Sequence, residues 1–299
     1  MVSSSTEIVI NGLELSVYGL KEYQQLSKDN SLPVCVIFLL HGRLQKKRHM
    51  ETIAQALCEL NETKQPKQKQ RHLLAISFDH LNHGSRLLVK ERNYGWKESG
   101  QENPTHALNM WSTVRAGAHT VSELIDVLEF YLFGPSCHPV EKWGTLGFSL
   151  GGHSTFLTAN DPRISVHIPI VGSADYIALM RARLIQGQFP ESYLPEGFST
   201  TVQAISEQLP EKIKNKKILM ISGGKDQLVP GRFNDGLVRY LKQQNIKEYH
   251  DWARIIVQNV GHAWYPEMIQ LSAQWCQQWL LSIHPNPSFV LSLPDTCKL

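Results

Sequence analysis

Ser149 stands at the centre of Gly147-Phe148-Ser149-Leu150-Gly151, a G-x-S-x-G run between a short apolar stretch and a helix-compatible segment. A strand, a sharp turn and a helix with a serine at the apex would expose a hydroxyl where backbone N–H groups face a developing negative charge. Side chains at 147 or 151 would collide with the neighbouring strand and helix, so both glycines are required. A neutral hydroxyl is a poor nucleophile and needs a base. Two further residues follow apolar strand-like runs downstream. Asp226 comes after Ile218–Ile221, and His262 comes after Ala253–Val257. A serine, a carboxylate and a histidine in that order are the parts of acyl transfer by a nucleophile, a base and an orienting acid. Asp175 and Asp251 are the competing carboxylates.

These residues need elements to hold them. Thr6–Ile10 and Leu13–Tyr18 flank Asn11-Gly12, which predicts an antiparallel hairpin. Val34–Leu40 is apolar at every position, as is a strand buried on both faces of a parallel sheet. Helical spacing predicts helices over about 49–60, 112–131, 232–243 and 266–282. Leu73–Phe78 and 164–171 read as further strands. Residues 80–109 have no clear period, and long irregular loops at strand ends often carry function. Residues 173–214, broken by Pro190, Pro195 and Gly197, read as a small helical cap inserted over the site. The β-α alternation implies an α/β chain of 1–299 as one domain, with a mostly parallel sheet and helices on both faces. Chemistry in such sheets gathers at the carboxyl ends of the strands.

The order Ser149, Asp226, His262, together with His41-Gly42-Arg43 after the first buried strand, resembles the α/β-hydrolase superfamily. More narrowly, the chain is similar to small carboxylesterases of the dienelactone-hydrolase and prolyl-oligopeptidase-like branch. Asp79-His80-Leu81-Asn82-His83-Gly84-Ser85, Leu108-Asn109-Met110-Trp111 and Val171-Gly172-Ser173-Ala174-Asp175-Tyr176 carry that narrower resemblance. It implies a serine hydrolase of a small-molecule acyl ester or thioester, acting through Ser149, His262 and Asp226. It also implies an oxyanion hole from the backbone N–H groups of Leu150 and Arg43, each such donor being worth roughly 3 kcal/mol in the transition state. His41 is expected to support that loop. His41, His83, Trp111, Tyr176 and Trp264 are the possible pocket residues, with Trp96 also near. No third ligand joins His80 and His83 at metal-binding spacing, so neither metal nor cofactor is expected.

Composition excludes other classes. Thirty basic and 27 acidic residues give a net charge of +3, too balanced for a nucleic-acid partner. The longest apolar run, Val34 to Leu40, is too short to span a bilayer. Five cysteines without paired spacing, and an N-terminus without a secretory pattern, suit reduced thiols. Residues 284–299 hold three prolines and no helical period, which predicts an exposed, flexible tail. Its end, Cys297-Lys298-Leu299, resembles the Ser-Lys-Leu peroxisomal address, so the import receptor is an expected partner and the cytoplasm the other location. That tail makes an acyl-CoA thioesterase an alternative activity. Non-hydrolytic relatives of the fold, as lyase, cyclase or ligand-binding protein, form a second class.

Overall fold

The computed structural model describes residues 4–28, 32–62, 70–135 and 139–298. The chain opens with β1 (Ser5–Ile10) and β2 (Leu13–Tyr18), paired antiparallel about Asn11-Gly12. Both turn residues take left-handed φ, 48° and 77°, which the Asn-Gly pair tolerates. After α1 (Leu20–Leu26) come β3 (Val34–Leu40), α2 (Glu51–Cys58) and β4 (His72–Phe78). A two-residue hairpin, β5 (Lys97–Glu98) and β6 (Gln101–Glu102), precedes α3 (His106–Phe133). Then follow β7 (Val140–Phe148), α4 (Leu150–Leu157), β8 (Ile164–Ile170), α5 (Tyr176–Gln186) and α6 (Glu196–Ile213). The last part holds β9 (Lys217–Gly223), α7 (Asp235–Gln243), β10 (Trp252–Val257), α8 (Pro266–Cys276) and β11 (Cys297–Lys298).

Nine of these strands form one sheet in the order β1-β2-β4-β3-β7-β8-β9-β10-β11. The six strands from β4 to β10 run parallel, and β1, β2 and β11 add antiparallel edges. Every residue of β3 is buried, and its side chains divide by the period of two. Cys35, Ile37 and Leu39 join the core under α2 and α8. Val34, Val36, Phe38 and Leu40 join the opposite core with Val121, Leu124 and Leu128 of α3. Burying each such large side chain stabilises the fold by roughly 1.5–3 kcal/mol relative to exposure.

Two expectations need correction. The helix predicted from 112 begins at His106, because Ala107, Met110 and Trp111 continue the apolar spacing. That first part of α3 packs on α5 rather than on the sheet, with Trp111 and Tyr176 rings 5.1 Å apart. The tail predicted to be exposed is exposed along much of its length, as at Val290, but is fastened to the body at several points. Leu291 is 4% exposed, and Phe289 and Leu293 cover the α8 face. Gln274 exchanges two hydrogen bonds with the Ser292 backbone, and β11 closes the free edge of β10. Prolines stop a helix but leave apolar side chains free to dock, so a missing helical period did not mean exposure. Leu299, the last residue of the expected address, lies outside the described residues, as does Cys137.

Candidate active site

Four strand ends deliver the expected site residues to one edge of the sheet. β7 ends at Phe148, and Ser149 follows with φ 55° and ψ −110°, a strained conformation for a residue with a side chain. The close packing of the turn holds it there. A Cβ on Gly147 would stand 2.1 Å from the Gly151 carbonyl oxygen, and one on Gly151 would stand 2.0 Å from that of Leu40. Ser149 N–H donates to Ile170 O at 2.9 Å, and its own carbonyl starts α4 by accepting from His153 N–H at 3.0 Å. The hydroxyl is thereby left partly exposed at the helix start.

Asp226 lies in the turn after β9, and His262 in the loop after β10. His262 Nδ1–H donates to Asp226 Oδ2 at 2.8 Å, and Ser149 Oγ–H donates to His262 Nε2 at 2.7 Å. The three side chains predicted from the sequence are therefore in one hydrogen-bonded series. Asp226 Oδ1 accepts from the Leu228 and Val229 amides at 2.9 and 2.8 Å. Burial opposes ionisation of this carboxyl, but its bonds from His262 and the two amides outweigh burial and hold its pKa below the ordinary value. An ionised Asp226 fixes the imidazole with its proton on Nδ1, which leaves Nε2 free to accept. The competing carboxylates are occupied elsewhere. Asp175 caps α5 through Ala178 N–H at 3.0 Å, and Asp251 pairs with Lys217 and His250.

Of the expected oxyanion donors, Leu150 begins α4 directly after the serine and Arg43 lies in the loop after β3. No described acceptor takes either backbone N–H. The loop at Arg43 is fastened on both sides. Gly151 N–H donates to His41 O at 3.1 Å, and Gly42 N–H donates to Gln45 Oε1 at 2.8 Å. The Arg43 side chain does not point to solvent. Its Nη1 donates to Asn93 O and Glu98 Oε2, each at 2.7 Å, and so ties the loop to the irregular 80–109 region.

The possible pocket residues divide. Trp264 stacks on Phe148 at 4.9 Å, and Phe148 lies 5.5 Å from the His262 ring. The other four are interior. His41 accepts the His80 amide on Nε2 at 3.1 Å, and its Nδ1 meets Gly42 O at 2.8 Å. Burial pushes its pKa down to about 4. His83 is 2% exposed, with Nδ1 on Leu81 O at 2.9 Å. Tyr176 is buried with its hydroxyl donating to Ala107 O at 2.7 Å, and Trp111 is packed beside it. These aromatics fill the contact between α3 and α5. Trp96 sits further out against Phe189, 5.3 Å away. Among the described residues no group of His, Cys, Asp and Glu is arranged to hold a metal ion, and no helix is long and apolar enough to cross a membrane.

Sequence reasoning missed three supporting residues. Arg183 on α5 donates from Nε and Nη2 to Leu228 O at 3.1 and 2.6 Å, tying α5 to the turn that carries Asp226. His153, one helical turn after Ser149, is fully buried and accepts Ser173 N–H on Nδ1 at 2.9 Å. Asn234 bridges Gly172 O and Ala174 N–H. Nothing in local spacing marks any of them, since each acts between segments far apart in the chain.

Sheet order, crossover helices and the serine turn together define the α/β-hydrolase fold. TT1662 from Thermus thermophilus superimposes with a TM-score of 0.65 at 18% identity, over 94% of this chain and 99% of that one. A cold-adapted esterase from an Arctic intertidal metagenomic library gives 0.54 at 14% identity, over 92% and 93%. The acylaminoacyl peptidase of Pyrococcus horikoshii gives 0.61 at 13% identity, where 96% of this chain spans 43% of the peptidase. No protein-family model matches the sequence, and no curated protein matches it.

Proposed function

We propose that the protein is a serine hydrolase that cleaves a carboxylic ester or thioester through an acyl-enzyme. The observation that carries this reading is the series Ser149 Oγ to His262 Nε2 at 2.7 Å and His262 Nδ1 to Asp226 Oδ2 at 2.8 Å. His262 takes the hydroxyl proton as Ser149 Oγ attacks the acyl carbon, and Asp226 stabilises the imidazolium that forms. The tetrahedral oxyanion is received by the amides of Leu150 and Arg43. Collapse expels the alcohol or thiol, which takes the proton from His262. Water then attacks the acyl-serine by the same route, freeing the acid and restoring the hydroxyl. Two of the solved structures of this fold are named as esterase and acylaminoacyl peptidase, which suits acyl transfer.

The test is covalent labelling by a fluorophosphonate together with turnover of a p-nitrophenyl ester. Wild type is expected to label at Ser149 and to hydrolyse the ester, and Ser149→Ala to do neither. Equal labelling and turnover in the two would overturn the reading. Tight binding of a ligand without turnover, unchanged in His262→Ala, would instead favour the non-hydrolytic class.

The thioester reading, with acyl-CoA as substrate in a peroxisome, rests on Cys297-Lys298-Leu299. Its support is qualified by the docked strand at Cys297–Lys298, because an import receptor reads a free end. A fluorescent protein fused to the N-terminus of the full chain should reach peroxisomes and lose them on deletion of Leu299. Parallel kcat/KM values for matched acyl-CoA and oxygen esters decide the substrate.

A further inference from the structure

Residues of β9, β10 and the turn that carries Asp226 border an open recess of about 840 Å³. Its wall includes Lys225, Arg232 and Arg254, with Ser222 and Gly231 between them. Asp226, the carboxylate in that wall, is committed to His262 and to two backbone amides. Arg254 is paired with Asp235, so the unpaired positive charge of the recess comes from Lys225 and Arg232.

Two polar atoms in its wall have no partner among the described residues. Arg254 is fastened by Asp235 Oδ1 at 2.6 Å and Gly231 O at 3.1 Å, which leaves its Nε a buried donor without an acceptor. Ser222 is 1% exposed, and its Oγ is buried without a bond. Buried donors are rarely left unsatisfied, since each such loss costs more than an ordinary bond returns. Gly231 packs against both side chains: a Cβ there would lie 3.0 Å from Ser222 Oγ and 3.6 Å from Arg254 Nη2. Two unpaired cations, an unused guanidinium donor and an unused hydroxyl call for a compact anion with several acceptor oxygens.

We propose that the recess lined by Ser222, Lys225, Gly231, Arg232 and Arg254 binds a phosphate group carried by a small molecule. None of these side chains is hydrogen-bonded to Ser149 or His262, and the recess meets the hydrolytic site only through Asp226. The phosphate has two sources, a remote part of the substrate or a separate phosphorylated ligand.

Calorimetric titration of the full chain with inorganic phosphate and with adenosine 3′,5′-bisphosphate in low-salt buffer tests it. Saturable binding is expected, weakened about tenfold or more in a Lys225→Gln, Arg232→Gln double variant, whose turnover of a short neutral ester stays within twofold. Ser222→Ala is expected to weaken binding severalfold while the ligand-free melting temperature stays level or rises, which a purely structural hydroxyl would not allow. If the phosphate belongs to the substrate, a phosphorylated ester outpaces its unphosphorylated match in kcat/KM, and the double variant erases the difference. If it is a separate ligand, the two esters turn over alike while the binding loss persists. No heat at millimolar phosphate, or equal binding by wild type and variants as an adventitious ion only, would overturn the proposal.

Discussion

Two histidine–aspartate constellations sit near the same edge of the sheet, and in only one of them does the imidazole meet a side-chain hydroxyl. In the first, His262 stands 2.8 Å from Asp226 and keeps one nitrogen for the Ser149 hydroxyl. In the second, His41 lies 3.8 Å from Asp79, with His80 and His83 packed at ring distances of 4.6 and 5.4 Å. Both His41 nitrogens are spent on backbone groups, and burial pushes its pKa down to about 4. Asp79 likewise spends its oxygens on Lys47 and Ser85 amides, whose bonds outweigh burial and hold its pKa low. A histidine beside a carboxylate is thus a base or a rivet according to what its second nitrogen meets.

The strongest attack on that contrast is Ser149→Ala or His262→Ala, expected to reduce kcat for a p-nitrophenyl ester by about 10⁴- to 10⁶-fold with the melting temperature little changed. Asp226→Asn should follow at about 10⁴-fold, because the wrong tautomer then faces the serine. Asp79→Asn is the matched variant in the other constellation. It should cost about 1–3 kcal/mol of stability in urea unfolding, and leave kcat within about tenfold where the protein is folded. Equal kinetic losses in the two aspartate variants would erase the distinction between the two constellations.

Acid unfolding sharpens the same comparison. The folded pKa of His41 is lowered to about 4 from 6.5, so between those values the unfolded chain binds the proton first. Stability is then full above pH 6.5 and falls as pH drops towards 4, by about 2 kcal/mol at pH 5 for this residue. His153 and His167, with pKa values pushed down to about 3 by burial, act in the same direction. Urea midpoints at pH 7 and pH 5 measure the slope, which His41→Asn should flatten. The smallest expected effect is at Trp264. Its removal should raise KM severalfold and leave kcat within about threefold, since it stacks on Phe148 beside the imidazole without joining the proton path.

Much of this was legible along the chain because it is local. The Asn11-Gly12 hairpin, the fully apolar β3 and the glycine-flanked Ser149 each follow from steric or solvation rules acting within a few residues. Strand ends then mark where Asp226 and His262 must emerge. The pocket was not legible in that way. Tyr176 and Trp111 look equally suited to line a pocket or to fill a core, and only the packing of α5 on α3 assigns them to the core. The tail misled for a related reason, since a segment without periodicity can still bury Leu291.

By itself the amino-acid order determined the alternating architecture, the strained serine turn and the three residues offered for acyl transfer. Tertiary structure alone decided which histidine nitrogen is free, that Arg183 ties α5 to the Asp226 turn, and that Ser222 and Arg254 share a charged recess. The physical reason is reach. Backbone sterics and hydrophobic periodicity act between neighbours in sequence, whereas hydrogen-bond partners and desolvation come from segments that meet only when the sheet has formed.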